Sequence, residues 1–426
     1  MNEDFLYYLW KYQKFSTLHL LTTSKEKVQV IHPGTHNTEK SGPDFFNAQL
    51  IIDSQKWAGN VEIHVKSSDW FLHNHQQDAN YDSVILHVVW EYDTDIYRKN
   101  NTEIPTLELK NYVSTRALNA YRKLYSKSIS KWINCENQIE EISGFTWKNW
   151  LERLYFERLN QKSFLTEEIL KQSNNNWEAT LFAVLAKGFG GNINGEFFLK
   201  IAQSIPFQII QKTNNSFQLE ALLFGQANLL NKNLDDEYYQ LLSKEYDYLK
   251  HKYKLSSQVG LQVHFFKLRP PNFPTIRLSQ LAKLYTSYSN IFNELIVEDS
   301  IIKIFKILSV NTLEYWHTHY NFGKETSKKS KKVSTVFIEL LIINSILPLK
   351  LLYQKSIDKF DADSLLKLIK NLKVEKNSII TNYKKLGVPI ENAMDSQALL
   401  TLKKSYCEKK VCLQCQIGYQ ILNSVK

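Results

Sequence analysis

The segment Trp57–Lys66 alternates Val61, Ile63 and Val65 with Glu62, His64 and Lys66. A strand there puts an acid, an imidazole and an amine in a row on one face, each about 6.6 Å from the next. Upstream, Gly42 and Pro43 deliver Asp44 to the edge of a neighbouring strand. Carboxylates in such a group hold a hard divalent cation, Mg or Mn. An ammonium beside them steadies a water or the charge that develops on a phosphorane. The chemistry expected of this set is metal-dependent phosphodiester cleavage. Asp44, Glu62 and His64 would be metal ligands, and Lys66 the charge-stabilising amine. The same pattern also fits a salt-bridged strand face with no chemistry at all.

Pro43-Asp44 followed by Glu62, His64 and Lys66 resembles the PD-(D/E)XK nuclease pattern, over about the first 95 residues. The chain as a whole resembles an uncharacterised bacterial domain-of-unknown-function family that opens with this GPDF…GNVEIH segment and ends in a cysteine cluster. The resemblance implies a nuclease-like α/β module and a divalent cation. The pattern departs from the nuclease motif in one place. The position two before Lys66 is His64 where an acid is expected, and Glu62 stands four before, about 13 Å along the strand. Either His64 takes the second acid's role, or Glu62 and Lys66 flank the metal from two sides.

Two further clusters carry metal-binding residue types. His73 and His75 lie just beyond the strand with spacing suited to a transition metal, and seven of the eleven histidines fall between His19 and His87. Surface or hydrogen-bonding roles for them are the commoner alternative. Cys407, Cys412 and Cys415 form Cys-x4-Cys-x2-Cys at the chain's end, matching part of an iron–sulfur spacing. With Cys135 they make four thiols, enough for a [4Fe–4S] cluster or a zinc. Three late cysteines and one early one are similar to the clasp of iron–sulfur nucleases of the recombination-helicase type. The internal spacing differs, so only the idea of a clasp is implied. The alternative is three reduced thiols on a terminal helix.

These groups need elements to position them. A helix over 3–15 precedes strands at 27–31, 48–52, 57–66 and 84–90, with a helix or ordered loop at 69–81 and an edge strand at 106–109. Residues 84–90, Val-Ile-Leu-His-Val-Val-Trp, read as a continuous apolar run around His87, as in a strand buried on both faces. From Ser114 onward the pattern is helical, including an amphipathic helix over 147–170 with Trp147, Trp150, Leu151, Leu154, Phe164 and Leu165 facing inward. Gly188–Gly195 reads as a turn between helices. The fold class expected is α+β: an N-terminal αβββαβ module over 1–112, a connector over 113–144, and a basic all-α domain over 145–426.

Charge divides along the same line. Residues 1–144 hold 15 basic and 18 acidic residues, and the remainder holds 38 against 25, a net of +13. A basic body suits nucleic acid, with DNA the favoured partner, although an ordinary lysine-rich surface has the same balance. Candidate phosphate contacts are Arg269 and Arg277, flanking a proline-rich loop, and Lys328, Lys329, Lys331 and Lys332. Solvated loops explain both stretches equally simply. The apolar run Val336–Tyr353 contains Glu339, Asn344, Pro348 and Lys350 and reads as a buried helix with no membrane role. The acidic start lacks the basic region of a signal peptide, and four cysteines make no secreted framework, so the cytoplasm is expected. The leading function is a divalent-metal-dependent nuclease. Its rivals are a catalytically inactive nucleic-acid-binding scaffold and a metal-binding β-domain protein, cupin-like, unrelated to nucleic acids.

Overall fold

The computed structural model describes residues 1–38, 41–125, 132–256 and 262–423. Helix α1 spans Glu3–Lys11, with Glu3 and Asp4 at its positive end and Lys11 at its negative end. It ends four residues short of the expected 15, because Gln13 turns into the left-handed region at φ 47. Its buried side, Phe5, Leu6, Leu9 and Trp10, joins the core, and the Trp10 indole donates to the Pro33 carbonyl at 2.9 Å.

One mixed sheet follows, of strands β1 (Val28–His32), β2 (Thr35–His36), β3 (Phe45–Ile52), β4 (Gln55–Lys66), β5 (Val84–Glu91) and β6 (Thr106–Glu108). Its order is β1-β3-β4-β5-β6, with β2 paired to the start of β3. The β1–β3–β4 meander is antiparallel, whereas β5 and β6 run parallel to β4. The parallel step from β4 to β5 requires a crossover. Residues 67–83 supply it through the short helix α2 (Asp69–Leu72) and two tight turns at 75–77 and 79–81. This is the expected αβββαβ order, with β2 added. A β-sandwich of the cupin kind is excluded for this unit, because its described residues build one sheet.

Two expectations for the strands meet different fates. Val84 to Val89 are all buried, as a strand covered on both faces should be. Over residues 61–64, strand β4 is not half-exposed as its alternation suggested. Val61 and Ile63 are fully buried, and Glu62 and His64 are 4% and 2% exposed. The polar face is covered by α1 and by the crossover, whose Trp70, His75 and Tyr81 stack over it.

Helix α3 (Thr115–Tyr125) follows, then the long α4 (Gly144–Gln172) and α5 (Trp177–Gln203). Helix α5 breaks at Gly191, where φ 60 and ψ −159 are open to glycine, so the turn expected over Gly188–Gly195 is narrowed to a kink at one residue within a helical stretch. In α4, Trp147, Trp150, Leu151 and Leu154 are buried, but Phe164 is 65% exposed and Ile169 and Leu170 take the inner face. The chain divides into two compact units. The first comprises residues 1–150, 383–389 and 402–426, and the second 151–382 and 390–401. The cysteine-bearing end therefore belongs to the sheet unit, not to the all-α domain expected over 145–426.

Among its described residues, the second unit has helices and one small hairpin, His319–Asn321 with Lys324–Glu325. Its helical run Thr335–Ser356 is apolar and long enough to cross a membrane, yet mostly buried. Lys350 inside it is 1% exposed, paired to Asp299 at 2.6 Å and donating to the Ile296 and Glu298 carbonyls at 2.9 and 3.1 Å. A charge anchored to protein groups in this way marks a core helix.

Candidate metal centre

Register brings the two acids together. Phe45 pairs with Val61 across β3 and β4, which sets Asp44, just before β3, beside Glu62. The Glu62 carboxylate accepts from the Asp44 N–H at 3.0 Å, and the Asp44 carboxylate accepts from the Ile63 N–H at 2.9 Å. Tyr7, one helical turn after Glu3 on α1, donates to Asp44. Burial, and then the neighbouring Glu62, push the Asp44 carboxyl up to about 8. Burial likewise pushes Glu62 up to about 8, with Glu3 adding repulsion. Two acids in this state are short of positive charge.

Imidazoles fill the rest of the face. Nδ1 of His64 lies 2.8 Å from Nε2 of His87 on β5, and Nε2 of His64 lies 3.1 Å from Nδ1 of His73. Oε1 of Glu62 is 3.6 Å from Nε2 of His64 and 3.3 Å from Nε2 of His75. His64, His73 and His75 each offer a ring nitrogen, and those nitrogens all lie within 4.8 Å of one another. Burial, reinforced by the neighbouring rings, lowers His64 to about 2 and His87 to about 3. His75 is lowered too, chiefly by burial. Neutral imidazole is the form that binds metal. Two ring nitrogens, Nε2 of His75 and Nδ1 of His87, are buried without a hydrogen-bond partner. The Glu62 oxygen near His75 is close enough for attraction but misaligned for a hydrogen bond.

The centre is graded from floor to rim. Glu62, His64 and His87 are buried, Asp44, Tyr7 and His75 half-buried, and His73 exposed. A solute can therefore reach it from the His73 side. Lys66 stands elsewhere. It is exposed at the end of β4, its N–H donates to Asp69 at 3.0 Å, and its charge acts on Asp93. The acid that works with Asp44 is thus followed two residues later by His64, and Lys66 comes one pleat further on.

Sequence reading singled out Asp44, Glu62 and His64, and the spacing of His73 and His75. It missed His87, Tyr7 and Glu3. An imidazole inside the otherwise apolar β5 was the available signal for His87. Nothing in the sequence marked Tyr7, because its role depends on where α1 lies.

The proposed phosphate contacts of the second unit separate into two kinds. Arg269, Lys328, Lys329 and Lys332 are exposed. Arg277 and Lys331 are not, at 5% and 6% exposure, and so cannot grip a phosphate backbone. Arg277 donates to Gln280 and Asn272 at 2.9 and 2.6 Å and lies over the Phe337 ring. Lys331 donates to the carbonyls of Trp316 and His319 and sits 4.0 Å from the Tyr320 ring centre. Both act as internal struts. The four cysteines, all free, line one small cavity in the sheet unit.

The family described as "Protein of unknown function (DUF2851)" matches residues 3–378. No curated protein and no solved structure matches.

Proposed function

The chain belongs to the DUF2851 family, and from its buried acid–imidazole centre we propose a divalent-metal-dependent hydrolase of nucleic-acid phosphodiesters. The observation that carries this is the convergence of Asp44 and Glu62 with three imidazoles whose nitrogens lie within 4.8 Å. The donor set fits a cation. Two acids with raised pKa need positive charge, and the unpartnered Nε2 of His75 needs a partner. Mixed oxygen and nitrogen donors suit manganese or zinc better than magnesium, which takes oxygen. The αβββαβ order, with Asp44 entering one strand and Glu62 on the next, is the arrangement that the nuclease resemblance implies.

Glu62, His64 and His75 would hold the cation from below, with Asp44 and His73 completing the set towards solvent. When bound, the cation would polarise a phosphoryl oxygen and acidify a water. His87 holds His64 through Nδ1 and so fixes which nitrogen faces the site, the part an outer partner plays in metal centres. Tyr7, bonded to Asp44, orients that carboxylate. The basic surface of the second unit, including Lys328, Lys329 and Lys332, would carry the non-specific attraction for DNA. A cytoplasmic location, where thiols stay reduced, belongs to the same reading.

The position of Lys66 favours a second reading, metal binding without phosphodiester chemistry, since its charge acts on Asp93. One experiment separates them. Manganese or zinc binding is titrated first, and cleavage of single- and double-stranded DNA and RNA is then assayed with each metal. Binding with cleavage lost in Asp44→Ala supports hydrolysis. Binding without cleavage supports the second reading, and absence of binding removes both.

A further inference from the structure

All four cysteines of this chain, drawn from separate stretches, meet in one place. Cys135 precedes the turn Glu136–Glu141, Cys407 ends the wide turn Leu402–Cys407, Cys412 opens the tight turn Cys412–Gln414, and Cys415 precedes the helix Gln416–Asn423. Together with Trp147 and Tyr383 they enclose a cavity of about 20 Å³. Gly418 is needed for the last two stretches to close up, because a Cβ there would lie 2.0 Å from the Cys412 carbonyl oxygen.

Hydrogen-bond donors are aimed at the sulfurs. Nδ2 of Asn134 approaches Cys412 at 3.5 Å, and the Tyr125 hydroxyl beside it donates to the Lys410 carbonyl at 3.2 Å. The Tyr383 hydroxyl lies 3.5 Å from the Cys407 sulfur, and the N–H groups of Ile417 and Gly418 point at Cys415. A neutral thiol is a weak acceptor and has little use for so many donors. Metal-bound thiolates carry charge, and hydrogen bonds to their sulfurs are a standard part of cluster sites.

Four thiolates suit two kinds of metal group. A single tetrahedral zinc takes four sulfurs at about 2.3 Å, which places each pair about 3.8 Å apart. A cubane cluster places each thiolate on a different iron and accepts a wider spread.

We propose that Cys135, Cys407, Cys412 and Cys415 hold a metal as thiolates, either one zinc or an iron–sulfur cluster, which fastens residues 402–423 to the stretch around Cys135 inside the sheet unit. Each thiol passes its proton to solvent as the metal binds. The site stands apart from the histidine centre and does not depend on hydrolysis. A nucleophilic role for these thiols does not fit, because burial raises Cys407 to about 11 and Cys415 to about 12.

The test is metal and sulfide analysis of the full chain purified without oxygen. Either about one zinc per chain, or iron and acid-labile sulfide at about four each with brown colour, is expected. Cys135→Ser and Cys412→Ser should each lose most of that metal while keeping their far-ultraviolet circular dichroism. The double variant His73→Ala/His75→Ala should retain it, so failure of the hydrolase reading leaves this result standing. If the cysteine variants do not fold, X-ray absorption on the unaltered protein decides, since sulfur at about 2.3 Å separates thiolate from imidazole ligation. A disulfide among these cysteines, or protein free of iron and zinc after reconstitution, would overturn the site.

Discussion

Asp44 and Glu62 hold each other's backbone: Glu62 accepts from the N–H of Asp44 at 3.0 Å, while Asp44 accepts from the N–H that follows Glu62 at 2.9 Å. This reciprocal bonding locks two acids side by side in a buried place. Each raises the cost of ionising the pair, and a cation offsets that cost.

The first prediction uses that tension. Asp44→Asn keeps the acceptor for Ile63 and removes one charge. Without metal, at pH above about 8 where both acids ionise, the variant should melt at a higher temperature than the unaltered protein. Its manganese affinity should fall, and any cleavage rate should drop by about 10²–10³-fold. Calorimetric melting in chelator and a metal titration check both halves. A variant that melts lower and binds metal equally well would make the pair purely structural.

Histidine substitutions give a graded series. His75→Ala and His73→Ala remove ring nitrogens of the three-imidazole set and should weaken zinc or manganese binding strongly. His87→Phe removes only the partner of His64, and a loss of about 10–100-fold is expected. Lys66→Ala should leave metal affinity untouched, because Lys66 acts on Asp93. Cleavage abolished in that variant with metal retained would assign Lys66 to the phosphate.

Lysine reversals in the second unit separate surface charge from internal struts. Changing Lys328, Lys329 and Lys332 to Glu should flatten the salt dependence of DNA binding, by about 0.9 in slope for each phosphate no longer neutralised. Lys331→Met should leave the slope alone and lower stability, since charged hydrogen bonds of this kind contribute about 1.5–3 kcal/mol each. Binding measured at several salt concentrations, beside thermal melting, distinguishes the two.

Glu220 predicts a pH dependence. It is fully buried, accepts from Trp316 Nε1 at 2.7 Å and from Tyr238, and burial lifts it from 4.5 to about 7. The folded state thus holds a proton that the unfolded state releases above about 4.5. Its contribution is complete below that pH and is lost as pH rises towards and past about 7, a loss of about 3 kcal/mol. Glu220→Gln, compared with the unaltered protein from pH 5 to 8, should remove that part of the slope. Parallel curves for the two proteins would rule it out.

Much of this molecule was legible in the chain itself. Alternation marked β4, an apolar run around His87 marked β5, and the glycine-rich stretch marked a break between helical pieces, because each depends on local backbone geometry and neighbouring side chains. Residue type alone also marked Asp44, Glu62, His64 and the four cysteines. Tertiary structure decided what those residues do together. Alternation cannot tell that α1 and the crossover cover the polar face of β4, which turns Glu62 and His64 from surface groups into a buried centre. Nor can composition tell a solvated lysine from Lys331, whose charge is taken up by carbonyls brought from Trp316 and His319. Spacing along the chain could not assign residues 402–426 to the sheet unit. That assignment follows from the packing that brings Cys135 to Cys407, Cys412 and Cys415, residues far apart in sequence.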